Sequence, residues 1–416
     1  MRKRHIVLGL LGLASVLTFL DRMAIAVTGE SIQKELAIGP KEWGWILSAY
    51  VIAYSIFEIP SGAMGDRHGY RRELTRIATW WSFFTAATAW CRTAWQMAGA
   101  RFLFGLGAAG AYPNMSGVLY RWFPPRERAR GQGVIWGAGR LGGALAPLLL
   151  VPLEAHAGWR VVFVALGIAG GLWAIAWWSF FRERPADQPG ITAGELAEIG
   201  EPEGHGHAGT PWRALLSLPA LRWIAIAYAC YAWASWFYFS WFPIWLVHAG
   251  GFSQAEMGIY ASLPFFLGFA SNLVGGWLSD RLAARIGMRR AYAGITSVCL
   301  LVTAALMFAM SFAHAKFAIV ALCSVSFAVM DLMLPAAWAM CMAIGGRCGG
   351  TATGVMNTAG NVGGFLCTLV FGYVIAATGN YELPVRGVAG MVMIAALIFA
   401  RIDCTRGLDA KAAPER

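Results

Sequence analysis

Charged side chains are what this sequence has little of. Only 13% of its 416 residues are Asp, Glu, Lys or Arg, where an ordinary soluble domain carries about 25%. Acids are scarcer still, 22 against 33 Lys and Arg, while 58% of the residues are hydrophobic. That balance excludes a soluble enzyme with a large core and describes an integral membrane protein. Cysteines at metal-binding or redox spacing are missing too. Cys91, Cys230, Cys299, Cys323, Cys341, Cys348, Cys367 and Cys404 form no C-x-x-C and mostly fall inside apolar segments, so neither disulfides nor a metal site is expected. No nucleophile, base and oxyanion donor fall at usable spacing, and no enzyme is expected.

What the chain does have is apolar length. Segments able to cross a bilayer lie at 6–27, 43–64, 74–91, 95–118, 131–152, 160–181, 221–247, 255–279, 290–312, 315–341, 350–375 and 386–402, predicting an all-α membrane protein of twelve transmembrane helices in two six-helix bundles. Met1 to His5 followed by an apolar run looks like a signal peptide, but no small-residue cleavage site follows and the run carries two charges, so it is expected to stay as the first helix. Residues 182–215 break the pattern with Pro185, Pro189, Pro202 and Pro211, many glycines and acids that include Asp187, Glu195, Glu198, Glu201 and Glu203. They predict a cytoplasmic linker between an N-terminal bundle, 1–181, and a C-terminal bundle, 216–416. His205 and His207 within it have no further ligand at fixed spacing and read as solvated loop.

A net charge of +11 raises nucleic acid as a partner, but the distribution argues against it. With both termini inside, 24 of the 33 Lys and Arg fall in cytoplasmic segments, six in outer loops, and three, Arg22, Arg101 and Arg140, within helices. This is the positive-inside pattern of a multi-pass protein of the cell inner membrane.

Those three arginines and the Asp21 beside Arg22 are the candidate site. A charge at bilayer depth is costly unless it meets a partner or a wet cavity. On the fourth helix Arg101, Gly105, Ala108 and Tyr112 share one face. The second carries a stripe of Tyr50, Tyr54 and Glu58, the fifth sets Arg140 among glycines, and the eleventh aligns Thr353, Asn357 and Asn361. Three guanidiniums against few acids imply an anionic ligand, because the planar fork matches carboxylate or phosphate. The structural alternatives are a neutral anchor at Asp21-Arg22, or the pairs Arg22 with Asp21, Arg101 with Glu58 and Arg140 with Asp331. Gly105-Leu106-Gly107-Ala108-Ala109-Gly110 matches a dinucleotide fingerprint, but it lies mid-membrane without a preceding strand and reads as helix packing.

The two halves repeat a cytoplasmic loop. After the second helix stands Gly62-Ala63-Met64-Gly65-Asp66-Arg67-His68-Gly69-Tyr70-Arg71-Arg72; after the eighth, Gly276-Trp277-Leu278-Ser279-Asp280-Arg281, then Gly287-Met288-Arg289-Arg290. This G-x-x-x-D-R-x-G-x-R-R pattern resembles the signature of the major facilitator superfamily, which implies two bundles rocking about a central cavity, with Asp66, Arg67, Arg71, Asp280 and Arg281 in conformational gating.

More narrowly, the chain resembles the anion:cation symporter family of sugar-acid and organic-anion carriers, relatives of vesicular glutamate carriers and sialin. The resemblance runs through Leu20-Asp21-Arg22, Tyr54, Arg101-Phe102-Leu103-Phe104-Gly105, Tyr120 to Gly131, Trp241-Phe242-Pro243-Ile244-Trp245-Leu246, Trp338, and Gly354 to Gly364. It implies substrate contacts by Arg22, Tyr54, Arg101, Trp338 and Asn357, and proton coupling through Asp21. Two positions depart from the family. Ala108 stands where a coupling glutamate is common, and Arg140 where a sugar-acid carrier has a neutral glutamine. The cavity is thereby more positive, which points to a more highly charged anion, with Arg140 added to the binding set and Asp331 competing for the proton. The expectation is a monomeric, proton-coupled carrier of a sugar acid or dicarboxylate in the lipid bilayer, with no cofactor and no nucleic acid. The alternatives are an organic-phosphate/phosphate antiporter, which lacks its expected seventh-helix arginine here, or a non-transporting receptor on the same scaffold.

Overall fold

The computed structural model describes residues 2–200, 211–248, 250–253, 256 and 260–408. His205 and His207 lie outside them. The described chain runs as twelve helical passages. Five are Lys3–Val27, Pro40–His68, Tyr70–Thr88, Arg128–Ala157 and Trp159–Phe180, and the fourth in order is split into Ala94–Ala108 and Ala111–Trp122. After the linker come Pro219–Trp236 continuing through a π-turn into Phe242–His248, then Leu263–Ile286, Met288–Met310, Lys316–Leu332 with Leu334–Gly345, Gly349–Thr378 and Glu382–Phe399. The eighth passage is described from Leu263, where Pro264 fits the first helical turn, and it runs on through Asp280 to Ile286; its expected start near 255 lies outside the described residues.

These passages need lipid as solvent. In Trp159–Phe180, Val162, Phe163, Leu166, Trp173 and Trp177 are buried while Ile168, Leu172 and Ile175 on the other side are exposed. A helix apolar on every side is stable only when hydrocarbon covers what the protein does not.

Two compact units form. The first comprises Met1–Pro125, Ala138–Thr210 and Arg347–Gly354; the second comprises Arg126–Gly137, Pro211–Gly346 and Val355–Arg416. Close helix approach within each depends on glycine. In the first, a Cβ on Gly105 would stand 2.5 Å from the Tyr50 carbonyl oxygen, and one on Gly142 2.7 Å from that of Val16. In the second, a Cβ on Gly275 would meet the Leu332 carbonyl at 2.0 Å and one on Gly363 that of Ala229 at 2.2 Å. The dinucleotide-like run is thus helix packing: Gly107 lies against Trp80, whose indole donates to the Leu103 carbonyl at 2.8 Å. Its last glycine, Gly110, takes φ +81 and separates the two halves of the fourth passage, a left-handed conformation that a side chain would strain.

The linker is anchored at its start. Glu195, in the short helix Ala193–Ile199, accepts from the backbone amides of Lys3 and Arg4 at 3.1 and 2.9 Å, capping the first helix. Glu198 takes the Arg2 and Arg4 guanidiniums at 2.5 and 2.7 Å, and these two arginines hold its carboxyl below the usual carboxylate range.

Candidate functional site

The contact at Gly105 sets the geometry of the first unit. Because the Ala94–Ala108 helix approaches the Tyr50 backbone so closely, Phe104 and Arg101 come to rest against the Tyr50 ring. The Phe104 centroid is 5.4 Å away and the Arg101 guanidinium 5.8 Å, while Arg101 also lies 4.5 Å from the Phe104 ring. Arg22 comes from the first helix: its guanidinium stands 5.7 Å from the Tyr50 ring, 4.8 Å from Tyr54 and 5.6 Å from Phe19. Two cations therefore share one tyrosine. Ring faces attract guanidiniums by about 0.5–2 kcal/mol each, enough to orient them and too little to neutralise them.

Asp21 and Arg22 turn to different neighbours. Consecutive residues on a helix point about 100° apart and do not face a common partner. Arg22 looks onto the tyrosines, whereas Asp21 lies in electrostatic reach of Arg101 and beside the Thr85 hydroxyl. Among the described residues neither Arg22 nor Arg101 forms an ion pair. The structural pairs of Arg22 with Asp21 and of Arg101 with Glu58 are therefore not formed.

Polar capacity is left over at this spot. Asp21 Oδ1, Arg22 Nε, Arg101 Nη1 and the hydroxyls of Tyr50 and Tyr54 are buried atoms without a hydrogen-bond partner among the described residues. Each such group costs about 1–3 kcal/mol when it stays unsatisfied. Five together rival the roughly 5–15 kcal/mol net stability of a folded domain, so the cluster is built for something that supplies acceptors and donors. Asp21, Tyr54 and Arg101 are buried, while Arg22 and Tyr50 keep partial exposure.

Around this core the remaining polar groups are engaged. Tyr112, within electrostatic reach of Arg22 and Arg140, exchanges a hydrogen bond with Ser15 at 2.7 Å. Arg140 is 3% exposed, on a helix that Gly139 and Gly142 press against Phe19 and Val16. Glu58 is fully buried and within electrostatic reach of Tyr50 and Tyr54.

In the second unit, Trp338 is fully buried. Its indole donates to the Tyr228 hydroxyl at 3.0 Å, and its ring packs 5.0 Å from that of Trp136. Gly360 gives Tyr228 its space, since a Cβ there would lie 2.8 Å from the ring. Asn357 and Asn361, on the same helix, keep partial exposure; at that helix's start, which belongs to the first unit, the Thr353 hydroxyl donates to the carbonyls of Gly349 and Gly350 at 2.7 and 3.2 Å. Asp331 is buried and accepts from the Asn272 amide at 2.9 Å.

The repeated loops place their aspartates at helix starts. Asp66 accepts from the Gly350 and Thr351 amides at 3.1 and 2.7 Å, from the Thr351 hydroxyl, and from Tyr70 at 2.5 Å. Asp280 accepts from the Ala129 and Arg130 amides at 3.1 and 2.7 Å. Both are carboxylates on the positive end of a helix. The arginines of the motif go elsewhere: Arg71 donates to the Trp178 carbonyl, Arg281 lies 5.0 Å over Trp277, and Arg67 is exposed. Arg121 is the base nearer this network, over the Tyr70 ring at 4.4 Å and ion-paired with Glu183.

The structure therefore brings Asp21, Arg22, Tyr54 and Arg101 together and adds Tyr50, Thr85 and Phe104. Tyr50 lay on a polar stripe visible in the sequence, one turn before Tyr54. Thr85 and Phe104 carry no sequence signal that separates them from packing residues.

Comparison with known proteins gives a consistent picture. A sequence model of the Major Facilitator Superfamily matches residues 11–368. The chain is 32% identical to the probable sulfoacetate transporter SauU of Cupriavidus necator, over 92% of this chain and 90% of that one. It is 27% identical to the hexuronate transporter of Bacillus subtilis, covering 94% and 92%, and 28% identical to a D-galactonate transporter of Escherichia coli, covering 91% and 90%. Among solved structures, the human organic anion transporter MFSD10 superposes with a TM-score of 0.75 at 14% identity, over 96% of this chain and all of that one. The E. coli fucose:proton symporter FucP gives 0.74 at 16% identity, over 96% and 99%.

Proposed function

The chain belongs to the Major Facilitator Superfamily, and from that premise we propose that it is a proton-coupled carrier of a small organic anion, a sugar acid or a compact dianion such as a dicarboxylate or sulfocarboxylate. The observation that carries this reading is the set of unpaired buried polar atoms on Asp21, Arg22, Tyr50, Tyr54 and Arg101. A carboxylate or sulfonate presents acceptors to two guanidiniums and two phenols at once, and its charge offsets the cost of burying the arginines. Arg140 is the third arginine we assign to the binding set. The relatives named for sulfoacetate, hexuronate and galactonate transport support the same class. Trp338 and Asn357 are the contacts we assign to the second unit.

Coupling follows from the way Asp21 faces Arg101. While ionised, Asp21 competes with the substrate for that guanidinium. A proton on Asp21 removes the competitor, so proton and anion load together and the neutralised site reorients. Asp331 is the second acid we assign to the proton path. Release of Asp66 and Asp280 from their helix starts would accompany reorientation, and we place both termini on the cytoplasmic side, where the Lys and Arg excess lies.

The experiment is uptake by purified protein in liposomes. A melting-temperature screen of mono- and dianionic sugar acids, short dicarboxylates and sulfoacetate first selects ligands. Uptake of the selected anion with an inward proton gradient should exceed uptake without it. Stimulation by counterflow of inorganic phosphate instead would replace this reading with an organic-phosphate antiporter.

A further inference from the structure

A basic cavity with a volume of about 640 Å³ lies in the first unit, sharing no residue with the candidate transport site. Its walls are the loop joining Pro40–His68 to Tyr70–Thr88, the end of Trp159–Phe180 and the segment just after it. Arg67, Arg71, Arg72 and Arg182 line it with His68, against Glu183 and Asp187. Glu183 is already committed, accepting from the Arg71 amide at 3.0 Å and pairing with Arg121. That leaves Asp187 as the one uncommitted acid among the lining residues.

Two of these arginines are tied at one edge to backbone carbonyls, Arg182 through one terminal nitrogen to Ser179 and Phe181 at 2.9 and 3.2 Å. Arg71 donates to the Trp178 carbonyl at 2.6 and 3.1 Å, and its guanidinium stacks 4.3 Å from the Trp178 ring. Arg67 and Arg72 are exposed and make no hydrogen bond or ion pair among the described residues. Four guanidiniums crowd one cavity whose size falls in the range of small-molecule sites.

The surroundings point to lipid rather than to a soluble anion. Trp178 is 44% exposed, and on the same helix Ile175 and Leu172 are 64% and 62% exposed, forming an apolar stripe that leads away from the cavity. A half-exposed tryptophan above such a stripe marks the level where headgroups meet hydrocarbon. Basic pockets at that level hold anionic headgroups.

We propose that this cavity binds the phosphate headgroup of an anionic phospholipid in the leaflet facing the cytoplasm, with Arg67, Arg72 and Arg182 on the phosphate, Arg71 fixed by Trp178 as the rear wall, and the acyl chains along Ile175 and Leu172. The site is separate from the transport site, and its failure would leave the anion-carrier reading untouched.

Lipid retention measured by native mass spectrometry tests it, using the full-length protein in uncharged detergent titrated with phosphatidylglycerol, cardiolipin or phosphatidylcholine. The unchanged protein should retain one phosphatidylglycerol or cardiolipin in preference to phosphatidylcholine. Arg67→Gln with Arg72→Gln should weaken retention about 30-fold, at about fivefold for each arginine at a membrane surface. These two side chains hold nothing else, so the variant should melt with the unchanged protein in phosphatidylcholine. Asp187→Asn provides an independent arm and should tighten retention. Equal retention by the double variant, equal affinity for phosphatidylcholine, or displacement of the lipid by millimolar glycerol phosphate would each overturn the proposal.

Discussion

Replacing Arg22 by glutamine separates a ligand-binding arginine from a structural one. Arg22 has three aromatic rings within 6 Å and no ion pair among the described residues. Losing the ring contacts forfeits about 0.5–2 kcal/mol each, but the change also removes a charge whose burial is costly. The two effects oppose, so the melting temperature without ligand should move by no more than about 2 °C. Had Arg22 been half of a buried ion pair with Asp21, breaking it would cost about 3–5 kcal/mol. At 2–4 °C per kcal/mol that is a fall of roughly 6–20 °C. Binding should respond in the opposite sense. Removing one partner of a desolvated charged hydrogen bond costs about 2–5 kcal/mol, which weakens the anion's Kd by about 30- to 5,000-fold. The assay is a melting curve with and without saturating anion, followed by calorimetric titration. A large fall in melting temperature with affinity intact would refute the reasoning.

Asp21→Asn should keep anion exchange between loaded vesicles and lose the extra accumulation given by a proton gradient; Asp331→Asn should keep exchange and reduce that accumulation, and gradient-driven uptake that survives Asp21→Asn but fails in Asp331→Asn would move the coupling to Asp331 alone. Gly105→Ala places a methyl 2.5 Å from the Tyr50 carbonyl oxygen. Backbone cannot yield as a side chain does, so about 1–3 kcal/mol of stability should be lost, with a weaker affinity as Tyr50 and Arg101 part; an unchanged melting curve would contradict the packing. For Glu198, Arg2 and Arg4 hold the folded carboxyl below its unfolded pKa. Its contribution is therefore present above the unfolded value of about 4.3 and disappears as pH falls through the lower folded value. Melting temperatures of the unchanged protein and Glu198→Gln should differ at pH 7 and converge in acid, and a constant gap would contradict the pairing.

The architecture could be read from the sequence because membrane crossing imposes a length and a polarity that twelve stretches display openly. Glycine positions were equally visible, since close helix approach has one cheap solution. Partner choice was not. Asp21 and Arg22 are neighbours in sequence, yet helical geometry sends one towards Arg101 and the other onto Tyr50 and Tyr54. Thr85 stands in a helix where nothing in its neighbours distinguishes it from a packing threonine. The motif arginines illustrate a similar limit: the loop pattern groups Arg71 with Asp66 in conformational gating, but its guanidinium is taken by Trp178, more than a hundred positions along the chain. The linker's contact with the first helix, through Glu195 and Glu198, had no signature beyond a short acidic helix.

The most direct test of the central claim is saturable uptake of a selected carboxylate or sulfonate anion into liposomes holding the unchanged protein, compared with Arg22→Gln combined with Arg101→Gln at matched reconstitution. The account predicts concentrative, gradient-stimulated uptake by the first and background levels by the second, with similar melting temperatures for both. Uptake by the double variant at the unchanged protein's affinity would contradict it.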